Sequence, residues 1–128
     1  RIAKDGYECI NAFAYPAITS AYSECDEWLD EMNAHLSENY ELTRKYIAEN
    51  IPAIKQYELE GTYLMWLDVS SLEIPDNEIV KYFADKAGVV VNNGGWFGEE
   101  GLGFIRINIA IPKEKLIELL ERIKKVFD

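Results

Sequence analysis

The stretch GLGFIRINIAIP, residues 101–112, constrains this chain more than any other. Isoleucine recurs at every second position, 105, 107, 109 and 111, and a period of two is the period of a β-strand. One face of that strand is wholly aliphatic. The other carries Phe104, Arg106, Asn108 and Ala110. An aliphatic sheet face has to be covered, so the rest of the chain must supply apolar helix stripes or a second sheet. Arg106 sets the opposite condition. A guanidinium is always charged and carries five donors in a planar fork. Burying it without a partner costs several kcal/mol. Arg106 therefore meets water, a carboxylate of its own fold, or an anionic ligand.

The covering helices are legible. Tyr15-Pro16 reads as a helix start, followed by Ala17, Ile18, Ala21 and Tyr22 at helical spacing. A second helical stretch runs from about Asp26 to Asn50, with the stripe Trp28/Leu29, Met32, Leu36, Tyr40, Thr43 and Ile47. Asp26, Glu27, Asp30 and Glu31 suit the positive end of its dipole, and Pro52 closes it. TYLMWLDV, residues 62–69, is a continuous apolar and aromatic run, which predicts a central strand covered on both faces. Pro75 and Asp76 open a third helix with the stripe Ile79, Phe83 and Ala87, and Gly88 ends it. Val89–Val91 reads as a short strand, and 92–103 as a glycine-rich loop. Pro112 starts a final helix with Leu116, Leu119, Leu120, Ile123 and Phe127 on one side. Trp28, Tyr63 and Trp66 are expected in the core. The sum is an α/β (α+β) sandwich, a short sheet of three to four strands with helices packed mainly on one face. Its other face is left for something else.

Composition narrows the function classes. The 128 residues suffice for one domain with a sizeable core, and 48% hydrophobic content excludes a disordered tail. A net charge of −10 argues against nucleic acid and anionic membrane surfaces as partners and fits a cytoplasmic protein. Cys9 and Cys25 form no CxxC or Cys/His pattern, and His35 is the single histidine, so no metal site is expected and the thiols read as free. His35 sits among polar neighbours and reads as a solvated surface residue. No apolar run approaches the ~20 residues that span a bilayer. The first residue is Arg1 rather than Met, which leads us to expect a piece of a longer protein.

Two features are candidates for chemistry. Arg106 reads either as a structural ion pair, to Asp68, Glu99 or Glu100, or as a bidentate clamp on a carboxylate or phosphate. The loop before it holds Gly94, Gly95, Gly98, Gly101 and Gly103, but it matches neither a P-loop nor a dinucleotide fingerprint. Its Trp96 and Phe97 either cover a ligand or plug the edge of the core. None of the nine lysines sits at an evident strand end in an apolar setting, as an imine-forming lysine requires.

Three segments together resemble a known family. They are INAFAYPAITSAYSECDEWLDEMNAHLSEN, then EGTYLMWLDVSSL, then GVVVNNGGWFGEEGLGFIRINIAIP followed by a helix. In that order, from about Asn11 to Phe127, they are similar to the C-terminal part of class I/II aminotransferases, closest to the branch of the MalY/PatB-type cystathionine β-lyases. The resemblance implies the small domain of a fold-type I pyridoxal-phosphate enzyme, a homodimer acting on amino acids. It implies that residues 1–25 lead in from a large domain and that 26–128 form the small one. The arginine that binds the substrate α-carboxylate in this family matches Arg106. Asn108, on the same strand face, would buttress the fork, and Trp96 and Phe97 would lie near the substrate. The Schiff-base lysine and the phosphate cup belong to the large domain, and no Ser-x-x-Lys occurs in these residues. Two other readings are open from sequence: a self-contained module binding a small acid or a protein, and a structural domain with Arg106 bridged to Asp68.

Overall fold

The computed structural model describes residues 11–128. They divide between two compact units, one ending at Ala34 and one from His35 to Asp128, and each is described by itself.

In the first unit, α1 spans Ala14–Glu24 and buries none of its residues. Phe13, Tyr15, Ile18 and Tyr22 are all exposed, Tyr22 to 86%. Helix α2, Asp26–Asn50, begins here, and Trp28 and Leu29 on its first turns are exposed as well. The expected stripe is real, but only its later members, Thr43 and Ile47 in the second unit, are buried. Trp28 is therefore not core. Cys25, between the two helices, is a free thiol, and Cys9 lies outside the described residues.

The second unit holds the sheet. Strands β1 (Lys55–Gln56), β2 (Leu64–Asp68), β3 (Asn92–Asn93) and β4 (Phe104–Asn108) lie in the order β1-β2-β4-β3, every neighbour antiparallel. The β2–β4 register pairs Met65 with Ile107, Leu67 with Ile105 and Trp66 with Arg106. Residues directly opposite one another share a face. Met65, Leu67, Ile105 and Ile107 thus form one buried aliphatic layer. Helix α3 (Ile79–Ala87) adds Ile79, Phe83 and Ala87 to the same cluster, and α4 (Lys113–Lys124) adds Leu116, Leu120 and Ile123. The periodicity of each helix places those residues on one stripe, and burying each large aliphatic side chain contributes about 1.5–3 kcal/mol.

Three sequence expectations change. β2 is central but covered on one face only, because its residues alternate: Met65 and Leu67 are buried while Leu64 and Trp66 are half-exposed. Trp66 stands on the Arg106 face, and Tyr63, ahead of the strand, is 45% exposed. Val89–Val91 is not a strand. Val89 and Val91 are buried in the core from irregular chain, whereas ladder pairing with β4 falls on Asn92 and Asn93.

A buried amide ties helix to sheet. Asn39, fully buried on α2, donates from Nδ2 to the carbonyls of Ile109 at 2.7 Å and Ile111 at 2.9 Å. His35, one turn earlier, is exposed as expected, but it is not merely solvated: its Nε2 lies 3.0 Å from the Ile111 carbonyl. The chain leaving β4 is thereby held against the helix.

Candidate functional site

The face of the sheet opposite the helices carries Arg106, and its surroundings decide what that charge can do. Arg106 is half-buried on β4. Its cross-strand neighbour on β3 is Asn92. Asn92 Oδ1 accepts from Arg106 Nε at 3.3 Å and from Nη2 at 3.1 Å. Above the guanidinium plane lies the ring of Phe97, its centroid 4.2 Å from Cζ. A contact of that length is an attractive cation–π stack. Among the described residues no Asp or Glu forms an ion pair with Arg106; their ion pairs go to Lys45, Lys55, Lys81, Lys113, Lys115 and Arg122.

One internal rival is accounted for. Asp68 lies on the same face but is engaged elsewhere. Its Oδ1 accepts from the Ser70 hydroxyl at 2.6 Å and the Ser70 N–H at 2.9 Å, and its Oδ2 is 3.9 Å from Lys55 Nζ. The Ser70 hydroxyl holds the Asp68 carboxyl below the usual carboxylate range, against the opposing effect of burial. The reading in which Arg106 is bridged to Asp68 is therefore set aside.

The loop before β4 is built, not slack. It consists of two short 3₁₀ turns, Gly94–Phe97 and Glu99–Gly101. They fold onto each other so closely that a Cβ on Gly94 would collide with the Gly101 carbonyl. Only glycine permits such backbone approach. Asn93, 3% exposed, caps the first turn by accepting from the Gly95 N–H at 2.6 Å. Its Nδ2 donates to the Asp76 carboxylate at 2.8 Å, and Asp76 also accepts from the Gly103 N–H at 3.2 Å. These contacts deliver Phe97 to the face of Arg106. Phe97 also meets Trp66 edge-on, with centroids 5.5 Å apart.

Beside Phe97 lies an aromatic trough of about 480 Å3, walled by Tyr57, Leu59, Trp66, Phe97 and Phe104 with Glu58 and Glu100 on its lining. Its volume falls within the range of small-ligand pockets. Trp96 is 65% exposed and lines neither the trough nor the guanidinium. Asn108 does not buttress the fork: it is exposed, and its Oδ1 accepts from the Ala110 N–H at 2.7 Å. The structure thus brings together Arg106 and Phe97 of the residues singled out from sequence, and adds Asn92 and Trp66. Cross-strand register alone reveals Asn92. Asn93, in contrast, carries a local signal, an Asn directly before Gly-Gly.

No protein-family model matches the chain. Individual proteins do. The cystathionine β-lyase PatB of Bacillus subtilis is 32% identical over 123 residues, covering 96% of this chain and 32% of PatB. Cystalysin from Treponema denticola, whose crystal structure contains a pyridoxal 5′-phosphate cofactor, aligns with a TM-score of 0.89 at 32% identity, covering 97% of this chain and 32% of cystalysin. The pyridoxal-phosphate-bound C–S lyase from Staphylococcus hominis aligns with a TM-score of 0.87 at 27% identity, covering 98% of this chain and 33% of that one. The chain spans about a third of the length of these relatives. In sequence and in fold, the chain matches the C-terminal part of pyridoxal-phosphate aminotransferases and MalY/PatB-type cystathionine β-lyases.

Proposed function

We propose that this chain supplies the carboxylate receptor of a pyridoxal-phosphate enzyme acting on amino acids, a C–S β-lyase or an aminotransferase. The observation that carries the reading is Arg106: a planar fork fixed by Asn92 and Phe97, with no carboxylate of the described residues paired to it. Two parallel N–H groups match a carboxylate in geometry and charge. Gripping that group at one end of a substrate fixes the direction of the bonds at its α-carbon, which is how an ordered ground state lowers an activation barrier. Phe97 and the trough beside it would wall the substrate side chain, with Trp96 and Asn108 at the margin of the site.

The cofactor is held elsewhere in this reading. An imine-forming lysine is desolvated. Every described lysine is exposed or half-exposed, so the described residues fit a carboxylate and not pyridoxal phosphate. The large domain of the full-length protein would hold it, with residues 1–25 leading in and 26–128 forming the small domain. The apolar surface of α1, with no buried residue of its own, supports a covering partner there. We extend the reading to a cytoplasmic homodimer. Its support is the family resemblance, together with a net charge of −10 that disfavours nucleic acid and anionic membranes; no described helix is long and apolar enough to cross a membrane. A self-contained binding module is not favoured, since the relatives extend over about three times this length.

The test is Arg106→Ala in the full-length protein. We expect kcat/KM for α-amino acids to fall about 100-fold, equivalent to ~3 kcal/mol of lost transition-state binding, while cofactor content stays unchanged. An unaltered kcat/KM removes Arg106 from the site.

A further inference from the structure

A guanidinium has two edges that can take a bidentate acceptor. The side-on edge presents Nε–H and one N–H of Nη2, and the end-on edge presents one N–H each from Nη1 and Nη2. In this structure the side-on edge is taken by a single atom, Asn92 Oδ1, which accepts from both Nε and Nη2. The ring of Phe97 covers one face of the plane. Three N–H groups remain: both on Nη1 and the second on Nη2. The two that lie parallel make up the end-on edge.

The chemistry of the holding atom matters as much as its position. Asn92 sits directly opposite Arg106 across the β3–β4 ladder, where an aspartate would have the same shape. The bonds to Asn92 already have a charged donor; an aspartate would make the acceptor charged as well and turn the contact into an ion pair. It would also cancel the charge that draws in an incoming anion. The amide oxygen orients the fork and leaves its charge whole. Asp68, the described carboxylate on the same strand face, is held by Ser70 and Lys55 instead. The site is thus arranged so that a neutral group does the orienting.

We propose that Asn92 is a positioning residue that locks the side-on edge of Arg106 without neutralising it, so that a substrate carboxylate is received end-on. This inference rests on the carboxylate-receptor reading above. It goes further by assigning the edge and by requiring that the orienting group be uncharged.

The experiment compares Asn92→Asp, Asn92→Ala and Arg106→Lys in the full-length protein, following turnover of an amino acid and inhibition by propionate and by propionamide. Asn92→Asp keeps the shape and adds a charge. It raises KM about tenfold with kcat within twofold, and weakens propionate about tenfold while leaving propionamide unchanged. Asn92→Ala frees the fork and lowers kcat/KM about tenfold, without the selective loss of propionate over propionamide shown by the aspartate. A merely structural role for Asn92 would not separate the acid from the amide. Asn92→Asp and Asn92→Ala both within twofold of the parent, with Arg106→Lys strongly impaired, overturn the role of Asn92 alone. Arg106→Lys at parental kcat/KM overturns the carboxylate reading itself. If Asn92→Asp does not accumulate as folded protein, the alanine variant decides by the same twofold criterion.

Discussion

The two faces of β4 differ in what fills them, although they alternate residue by residue along one strand. On one side Ile105, Ile107 and Ile109 are sealed beneath α3 and α4, at 0–4% exposure. On the other, Arg106 is gripped by one amide and one ring and is otherwise open to an anion. The first face is redundant, since many side chains share the burial and stability is spread among them. The second is singular, since one charge and one neutral partner define it. A substitution should therefore be felt as lost stability on one face and as lost recognition on the other.

The strongest way to break this contrast is Phe83→Ala. Phe83 is fully buried at the centre of the α3 stripe. Truncation should cost about 3–5 kcal/mol in denaturant unfolding, through lost burial and the cavity left behind. A loss below ~1 kcal/mol would show that the helical layer is not the main source of stability. Asn39→Ala should come next, at about 1–3 kcal/mol, because the carbonyls of Ile109 and Ile111, just after β4, lose their amide donor in a buried or part-buried setting. That variant sharpens the contrast, since it removes a polar contact from the sealed side.

Asp68 gives a smaller, pH-dependent effect. Its carboxyl is held low in the folded state, chiefly by the Ser70 hydroxyl. A lowered folded value means that the stabilisation is fully present above the ordinary carboxylate range and is lost as pH falls through that range to the lowered value. Asp68→Asn should flatten the acid limb of stability against pH and cost about 1 kcal/mol at neutral pH. An acid limb identical in the two proteins would remove Asp68 from that account. Smallest of all should be the stability change of Arg106→Ala, within about 0.5 kcal/mol, since its hydrogen-bond partner is a half-exposed amide. A large loss there would make Arg106 structural and erase the distinction between the faces.

How much of this was readable from sequence follows the same division. The isoleucine alternation and the stripes of α3 and α4 are local patterns: Ile105, Ile107, Ile109, Ile79, Phe83, Ala87, Leu116, Leu120 and Ile123 are buried as read, while Ile111, Leu119 and Phe127 are only partly buried. Arg106 was legible because a charge within an aliphatic strand is a local anomaly. Asn92 was not, because its role depends on which residue stands opposite it in a ladder only two residues long. The same shortness hid β1, and drew the valines at 89–91 into a strand that the following asparagines form. Trp66 was misplaced because a run of consecutive apolar residues conceals the period of two. The aromatic members of that run serve the open face, where burial is partial. Asn108 was placed near the fork by strand parity, which fixes a face but not a side-chain rotamer; its oxygen turned to the Ala110 N–H instead.

The contacts that set the plane of the guanidinium all arise within one continuous stretch, 92–106, whose two turns pack backbone against backbone at Gly94 and Gly101. Such a segment travels as a preassembled cassette. On the carboxylate-receptor reading proposed above, any displacement of this segment would carry the fork along already aimed, so ligand capture would need no rotamer search at the arginine. The entropic cost of ordering that side chain has been met at the moment of folding, well before a ligand arrives.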